Sequence, residues 1–528
     1  MENRKQYLEE GQGYLGIELG STRIKAVIID DSFDVIASGS HTWENRLQNG
    51  VWTYTMEDIS GGIRAAYADL KKDARERYGA ALSSFRAIGI SAMMHGYLPF
   101  DREGRLLSMF RTWRNISAHE AAERMTKLLQ HNIPDRWSLA HLYDAILRNE
   151  EHVRSISFMT TLAGYIHFRL TGKKVIGVGD ASGIFPVDTR TGDYREDLLA
   201  VFDREIEGKG YPWKTKELLP KVLRAGEDAG TLTKEGALFL DPEGLLTCGI
   251  PLCPPEGDAA TGMIATNSIR KRSGNLSAGT SGFLMAVLEN EIHSAKREIE
   301  QINTPDGSPV AMVHANNCTT DISAWVSLFG EFASLAGAKL STDDLYGLLY
   351  RKALEGEKDA GGILSYNYHA GEFIAGLEQG CPLVVRTPDA AFDLANFMRA
   401  QLYGTVAVLR LGVDLLTKEG VSLDAITAHG GLFKTPGVAQ KLLAGALHIP
   451  VRVMETAGEG GAWGIAILAA NLVRQDRSQS LPDYPDSKVF AHANYTVSEP
   501  DADDARGYDQ YMEAYRSALD AERAAVRA

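Results

Sequence analysis

Apolar and polar positions follow one another in blocks that predict a mixed α/β chain. At the N-terminus, the apolar runs GYLGIEL and IKAVIID flank the polar turn Gly20–Arg23, a pattern typical of two strands joined by a tight turn. VIASGSHTW predicts a third strand, residues 56–78 have a helical period, and FRAIGIS at 85–91 predicts another strand. Helical periodicity then extends over residues 116–170.

A second strand-rich block begins near Gly274 and repeats the opening pattern. NLSAGTSGFLMAVL again places a small polar turn between apolar runs, and helical periodicity returns over residues 391–419. ITAHGGLF predicts a strand that ends in a Gly-Gly turn, and it precedes a predicted helix at 438–447 and the small-residue helix EGGAWGIAILAANLV.

These blocks predict two domains with mixed sheets flanked by helices. We place them at residues 13–265 and 266–475, with a cleft between them as the natural ligand site. The charged and proline-punctuated residues 476–528 are interpreted as a C-terminal appendage on the surface that ends in a helix.

Composition narrows the classes of function. The 528 residues are too many for one core, and a formal charge of −14 argues against a nucleic-acid partner, because phosphate neutralisation needs a basic surface. No apolar run reaches the roughly 18 residues of a membrane span, and the polar N-terminus has no signal-peptide core. We therefore expect a cytoplasmic protein with no membrane partner, whose four cysteines are reduced structural thiols.

The polar turn Gly20–Arg23 is a candidate phosphate site. Backbone N–H groups of a tight Gly-Ser-Thr turn form an anion-binding nest, and a nearby carboxylate such as Glu18 suits Mg²⁺. Taken alone, the segment is more typical of an ordinary hairpin with a surface glutamate. AGTSG at 278–282 offers the same small and hydroxyl residues, and a third glycine turn, HGG, lies at 429–431. Two such turns across a cleft would clamp a polyphosphate.

Five segments occur in an order that resembles the FGGY family of carbohydrate kinases: ELGSTRIKAVIID, EGDAATG, NLSAGTSG, ITAHGGLF and ETAGEGGAWGIAILAA. The resemblance covers residues 13–475. It implies two actin-like (ribonuclease H-like) α/β domains and ATP-dependent phosphorylation of a sugar hydroxyl, with ATP and Mg²⁺ as cofactors. Phosphoryl transfer needs positioning, charge neutralisation and a base for the incoming hydroxyl, which agrees with the turns and carboxylates of this chain.

The resemblance also implies roles for single residues. Asp258 in GDAATG would be the catalytic base that accepts the proton of the attacking hydroxyl, whereas the alternative is a loop-capping aspartate. Glu18 stands where the family has an aspartate and would hold the metal. The residues implied to bind the nucleotide are Gly20, Ser21, Thr22 and Arg23 in the first turn, Gly279, Thr280 and Ser281 in the second, and Gly430 and Gly431 at the adenosine.

For the sugar, SAMMHGYLPFD is similar to the Met-His-Gly segment of xylulokinase-like members, which implies contacts from Met94, His95 and Gly96, together with Asp258. The alternative for His95 is a satisfied polar group at a strand end. RTWRN resembles the W-x-D segment of the family, which would place Trp113 against the sugar, with Asn115 in place of the usual aspartate.

The resulting prediction is a kinase for a small sugar, with a ketopentose such as xylulose as the favoured substrate. Xylulokinases typically have asparagine after the catalytic aspartate, whereas this chain has Ala259, so another ketose or a polyol stays open. Two functions from different classes also stay open: an actin-like ATPase without a sugar substrate, and a catalytically weakened regulator that binds sugar. Besides the sugar, a second copy of the chain in a homodimer is an open partner.

Overall fold

The computed structural model describes residues 2–454, 460–491 and 493–526 of the chain. Two large sheets organise it, one built from strands between residues 14 and 257 and the other from strands between residues 273 and 498. Among the helices in these described ranges, none combines the length and the apolar character that crossing a membrane requires.

The first sheet has five strands and contains the predicted opening pair. The strands are β1 Tyr14–Leu19, β2 Arg23–Ile29, β3 Val35–Thr42, β4 Ala87–Ala92 and β5 Glu256–Gly257. Their order across the sheet is β5-β4-β1-β2-β3, and β1 is antiparallel to β2 and parallel to β4. Both faces of β1 and β2 are largely buried because helices cover the two sides of the sheet, as expected for apolar runs of this kind.

Helix α1, Met56–Tyr78, covers one face of the first sheet and matches the predicted helical period. The Thr55 side chain accepts a hydrogen bond from the Asp58 N–H, and the Asp58 side chain accepts one from the Thr55 N–H, which forms a capping box. Gly79 ends the helix with φ of 66°, a left-handed conformation that glycine adopts without steric cost.

The second sheet has seven strands and repeats the pairing of the first. The strands are β6 Ser273–Ala278, β7 Gly282–Val287, β8 Glu300–Asn303, β9 Pro309–Ala315, β10 Ala425–His429, β11 Val451–Met454 and β12 Tyr495–Ser498. Their order is β8-β9-β7-β6-β10-β11-β12, with β6 antiparallel to β7 and parallel to β10. The internal echo in the sequence therefore corresponds to a shared strand topology.

Helices fill the connections. Five of them are α2 Asp258–Ala265, α3 Leu394–Lys418, α4 Val438–Leu447, α5 Gly460–Val473 and α6 Ala502–Ser517. The remaining α-helices are Glu2–Glu9, His119–Leu129, Ser138–Leu147, Leu162–Thr171, Val178–Ala181, Glu196–Ile206, Thr215–Leu218, Lys234–Leu240, Thr320–Leu335, Thr342–Ala353 and Leu519–Val526. Helices α3, α4 and α5 confirm the three helices predicted for the second half.

The structure corrects the prediction that residues 116–170 are helical throughout. Three helices, His119–Leu129, Ser138–Leu147 and Leu162–Thr171, share this region with a strand, Phe158–Thr160, that pairs with Leu98–Phe100. The helices are interrupted where Gln130 and Asn149 adopt φ of 50° and 54°, because an α-helix of L-residues cannot continue through this conformation.

Helix α5 packs on the first sheet, although the strands before it belong to the second. Gly16 of β1 lies against the carbonyl of Ala462, and Gly89 of β4 lies against Ile465, so that a Cβ at either glycine would collide with the helix. Glycine at these two positions permits the close contact. The last helix of the predicted second domain thus joins the core of the first, and a boundary at residue 265 stays a prediction.

The described part of residues 476–528 is an integral part of the second domain rather than a surface appendage. Strand β12 pairs antiparallel with β11 and extends the second sheet. Tyr508, Tyr511 and Tyr515 of α6 are buried in the core of the second domain, where Tyr511 packs against Tyr403. Most charged residues of this helix lie on its solvent side, whereas Asp504 is buried and accepts a hydrogen bond from Arg399 Nη2 at 2.7 Å. The overall polarity of the segment thus hides an apolar stripe at helical spacing.

Candidate active site

The first candidate phosphate turn, Gly20–Arg23, closes the hairpin of β1 and β2. The Gly20 N–H donates to the Arg23 carbonyl at 3.0 Å. Trp43 Nε1 donates to the Gly20 carbonyl at 2.7 Å, and the Tyr54 hydroxyl donates to the Ser21 carbonyl at 2.6 Å. These two donors hold the Gly20 and Ser21 carbonyls of the turn in place.

Trp113 lies beside this turn. Its Nε1 donates to Ser21 Oγ at 3.2 Å, and 39% of the residue is exposed. Asn115 is buried, and its amide accepts from the Trp52 N–H at 2.9 Å and donates to the Trp52 carbonyl at 2.8 Å. An aspartate could not both donate and accept there, so the departure from the family pattern at Asn115 has a local structural cause.

Glu18 lies near the end of β1 and faces helix α5. Its Oε2 accepts a hydrogen bond from the Ala462 N–H at 3.2 Å. Burial, followed by the nearby Asp258 carboxylate, raises the pKa of Glu18 to about 7, while Lys25 opposes the shift. The structure therefore brings the predicted metal ligand and the predicted base close enough to repel each other.

This pair of carboxylates fits a magnesium site. A divalent cation beside Glu18 would remove the repulsion from Asp258, and Mg²⁺ usually takes one or two carboxylates together with waters and substrate phosphates. The described residues contain no group of three or more acidic, histidine or cysteine side chains placed to hold a metal.

Asp258 is the first residue of helix α2 and directly follows β5. The Met94 N–H and the Ala259 N–H both donate to Asp258 Oδ1, at 3.1 and 2.9 Å. Burial raises the pKa of Asp258, and the two N–H groups limit the rise. A carboxylate that is fixed in position and more basic than usual is suited to accept a proton from a hydroxyl.

The Met94–Gly96 segment turns sharply after β4. His95 and Gly96 have φ of 69° and 98°, and a Cβ at Gly96 would lie 2.8 Å from the Phe110 ring. Only glycine fits this position without strain. The turn directs the Met94 N–H to Asp258 and the Met94 side chain against Gly257, so the predicted sugar segment supports the predicted base directly.

The His95 ring is buried and neutral. Burial lowers the pKa of His95 to about 4. Its Nε2 lies 3.5 Å from Glu300 Oε1, while its buried Nδ1 has no hydrogen-bond partner among the described residues. A buried nitrogen without a partner is costly, and a ligand hydroxyl would remove that cost.

The second candidate turn, Gly279–Ser281, closes the hairpin of β6 and β7. The Gly279 N–H donates to the Ser281 carbonyl at 2.9 Å. The Cys318 N–H donates to the Thr280 carbonyl and the Thr319 N–H to the Gly279 carbonyl, both at 3.0 Å. As in the first turn, neighbouring donors engage the carbonyls.

Gly430 brings the third glycine turn against the second. It has φ of 110°, and a Cβ there would collide with the carbonyl of Ala278, whereas a Cβ at Gly431 would meet open space. Ser277 and His429 are aligned in the parallel pair of β6 and β10. The two turns therefore lie side by side at the carboxyl ends of adjacent strands.

Within each domain, the predicted site residues lie at the ends of neighbouring strands. In the first domain β1, β4 and β5 run parallel and end at the first turn, at the Met94–Gly96 segment and at Asp258. In the second domain β6 and β10 end at the two glycine turns. Ligands of open α/β sheets bind outside the carboxyl ends of the strands, which is where both groups lie.

Two buried acids next to Asp258 escaped the sequence analysis. Asp180 Oδ2 accepts from Thr161 Oγ1 at 2.6 Å, and Glu256 Oε2 accepts from the Asp180 N–H at 2.9 Å. Burial raises the pKa of Asp180 to about 7, and the charge of Asp258 adds to the rise. The only signal in the sequence was the short GDASG segment at residues 179–183, whose proximity to Asp258 is a matter of tertiary structure.

Comparisons with known proteins cover both domains. The sequence models of the FGGY family of carbohydrate kinases match residues 13–264 with the N-terminal domain and residues 274–472 with the C-terminal domain. A xylulose kinase of Haemophilus influenzae is 22% identical over 485 residues, which are 85% of this chain and 89% of that protein. A glycerol kinase of Thermococcus gammatolerans is 24% identical over 286 residues, 52% of this chain and 53% of that protein.

Solved structures share the fold. Xylulose kinase from Lactobacillus acidophilus, with ligand bound, has a TM-score of 0.78 at 18% identity and covers 97% of this chain and 98% of its own. Glycerol kinase from Plasmodium falciparum, with ADP, has a TM-score of 0.75 at 15% identity with the same coverage. These likenesses confirm two actin-like α/β domains, and the family match decides against an ATPase without a sugar substrate. The chain belongs to the FGGY family of carbohydrate kinases, phosphotransferases that act on a sugar hydroxyl.

Proposed function

We propose that this protein transfers the γ-phosphoryl group of ATP to a hydroxyl of a ketopentose, with xylulose as the first candidate. The observation that carries the proposal is the position of Asp258, which is fixed by the Met94 N–H at the start of α2 and lies close to Glu18. The xylulose kinases among the relatives support the ketopentose.

Asp258 acts as the general base. Both hydrogen bonds from Met94 and Ala259 end on Oδ1, which leaves Oδ2 to accept the proton of the attacking sugar hydroxyl. Met94, His95 and Gly96 bind the sugar beside it, and Trp113 lies near enough to the first turn to contact sugar or phosphate. The raised pKa of Asp258 makes this proton transfer more favourable.

The two glycine-rich turns bind the nucleotide. Gly20, Ser21, Thr22 and Arg23 face its phosphates from the first domain, and Gly279, Thr280 and Ser281 face them from the second. Gly430 and Gly431 allow the backbone to approach the adenosine. Mg²⁺, when bound, supplies charge neutralisation on the phosphates, and Glu18 is the residue that would hold it.

Another ketose or a polyol is the substrate to weigh against xylulose. Ala259 follows the base and cannot hydrogen-bond a sugar hydroxyl through its side chain, so selection at that hydroxyl is expected to be weak. Glycerol and gluconate are the substrates to compare, because the relatives include a glycerol kinase and a gluconate kinase from Lactobacillus acidophilus is structurally similar.

The Asp258→Asn variant, assayed on a substrate panel, tests the proposal. ADP release is measured with xylulose, other ketoses, glycerol and gluconate, and the best substrate is then used with the variant. We expect kcat to fall by about 10² or more, because general-base catalysis contributes about 10²–10⁴-fold, with KM for ATP little changed. Asp197→Asn, at an exposed surface position, is the control and should retain the wild-type rate.

Two outcomes would contradict the proposal. Near-normal turnover by Asp258→Asn would remove Asp258 from the mechanism. Calorimetric binding of a sugar by the wild type without turnover would instead favour the weakened, sugar-binding regulator.

We also propose that two copies of the chain associate through helix Thr320–Leu335. Leu328, Phe332 and Leu335 lie along one side of this helix at spacings of four and three and are 51%, 71% and 88% exposed. Glu331 is the only charged residue between positions 322 and 338, so this surface is better matched by an identical apolar surface than by a charged partner.

A further inference from the structure

Strand β8 of the second domain is held by residues of the first domain along its length. Asn132 Nδ2 donates to the Ile299 carbonyl at 2.8 Å, just before the strand. At the other end, the Asn303 N–H donates to Ser182 Oγ at 3.0 Å. All four residues are buried, so this edge of the second sheet is a fixed contact between the domains.

Glu300 begins this strand and extends into the first domain. It is 4% exposed, and its Oε1 accepts from Trp137 Nε1 at 2.6 Å, while its Oε2 accepts from Arg136 Nη2. Burial alone would raise the pKa of Glu300, but the adjacent Arg136 guanidinium holds it below its usual range. Glu300 is therefore an ionised carboxylate inside the contact between the domains.

This carboxylate faces His95, the histidine assigned above to the sugar. Glu300 Oε1 lies 3.5 Å from His95 Nε2. An ionised carboxylate can only accept hydrogen bonds, so the neutral imidazole is favoured with its proton on Nε2. The unpartnered Nδ1 is then an acceptor, ready for a hydroxyl. Gly183 lies directly against this nitrogen, since a Cβ at residue 183 would come within 2.7 Å of Nδ1.

We propose that Glu300 is a positioning residue of the sugar site, which acts across the domain contact by fixing the tautomer and the orientation of His95. Groups that hold the second nitrogen of a functional histidine commonly set its tautomer in this way. The sugar site is therefore completed by a side chain of the second domain. The inference rests on the proposed function, because it requires His95 to contact the sugar.

A double-mutant cycle between Glu300→Gln and His95→Asn tests this role. Steady-state kinetics are measured for the wild type, both single variants and the double variant, with the best sugar of the panel and with ATP. We expect Glu300→Gln to raise KM for the sugar about tenfold or more, since hydrogen bonds to charged groups are the stronger ones, with KM for ATP little changed. In the His95→Asn background the same substitution should have little further effect, because residues that act through one contact are not additive.

Glu298→Gln is the matched control, two residues away on the same segment, and should leave both KM values unchanged. Trp137→Phe provides a second route should Glu300→Gln fail to fold, because it removes one donor to Glu300 and keeps an aromatic ring. It should raise KM for the sugar selectively, to a smaller extent.

Three results would overturn the inference: an unchanged KM for the sugar in Glu300→Gln or in Trp137→Phe, additive effects of the two substitutions in the cycle, or equal rises in both KM values together with a lower Tm. The last would indicate that Glu300 only stabilises the domain contact. A wild type that phosphorylates no sugar would instead defeat the proposed function, and this inference with it.

Discussion

At the scale of single residues, burial makes the two proposed site carboxylates more basic than usual. It is the largest cause of the raised pKa of both Glu18 and Asp258. The longer side chain of Glu18, compared with the aspartate of the family pattern, reaches the Ala462 N–H of helix α5 at 3.2 Å. Perturbed carboxylates of this kind cluster at functional sites, because proton transfer and metal binding both exploit them.

The pH dependence of stability follows from Glu18. Its pKa is about 7 in the folded protein against an ordinary value of 4.5, so its contribution to stability is fully present below about pH 4.5 and is lost as the pH rises through about 7. Glu18→Gln keeps an oxygen for the Ala462 N–H but cannot ionise. We expect calorimetry of the ligand-free variant to give a higher Tm than the wild type near pH 8 and an equal Tm near pH 4.

Glu44→Gln, at an exposed position, is the control for this comparison and should give the wild-type Tm at both pH values. If Glu18→Gln shifted Tm equally at both pH values, the ionisation of Glu18 would not be the cause.

At the scale of elements, the strand ends were largely predictable and the packing around them was not. The runs around Gly20–Arg23 and Gly279–Ser281 indicated the hairpins, and the structure confirms them as the β1–β2 and β6–β7 pairs. The prediction of a helical region over residues 116–170 was wrong because pairing between distant strands overrides a local helical period. The sequence analysis missed the two buried acids beside Asp258 for a similar reason, since no spacing rule relates residue 180 to residue 258.

Gly430 provides a test of the second-domain turns. Alanine at this position needs φ of 110° and collides with the carbonyl of Ala278, so it must displace the turn at Gly279–Ser281. We expect Gly430→Ala to raise KM for ATP roughly tenfold, given about 1–3 kcal/mol for such strain, with KM for the sugar little changed. Gly431→Ala meets open space and is the matched control. A selective loss of sugar affinity in Gly430→Ala would contradict the assignment of these turns to the nucleotide.

At the scale of the whole molecule, elements assigned to the second domain pack against the first domain. Helix α5 follows strands of the second sheet and packs on the first, while β8 of the second sheet is held by Asn132 and Ser182 of the first domain. These contacts hold one edge of the second domain in place against the first.

Association of two copies is tested by sedimentation velocity. We expect the wild type to sediment as a dimer at micromolar concentration and Phe332→Glu to sediment as a monomer, because a charge would be buried without a partner in the apolar contact. Leu245→Glu, which changes another exposed leucine in the first domain, should leave the dimer intact. A monomeric wild type would refute this interface.

The sequence by itself determined the two strand–turn–strand blocks and the order of the motifs, because hydrophobic period and turn chemistry are local properties. The role expected of Asp258 came from the family resemblance of these motifs. Only the tertiary structure decided that the tyrosines of the charged C-terminal segment are buried in a core, that Asn115 hydrogen-bonds the Trp52 backbone and that Glu300 reaches His95 from the other domain. The physical reason is that burial and charge pairing depend on tertiary contacts between segments that are distant in sequence, and local sequence patterns do not specify those contacts.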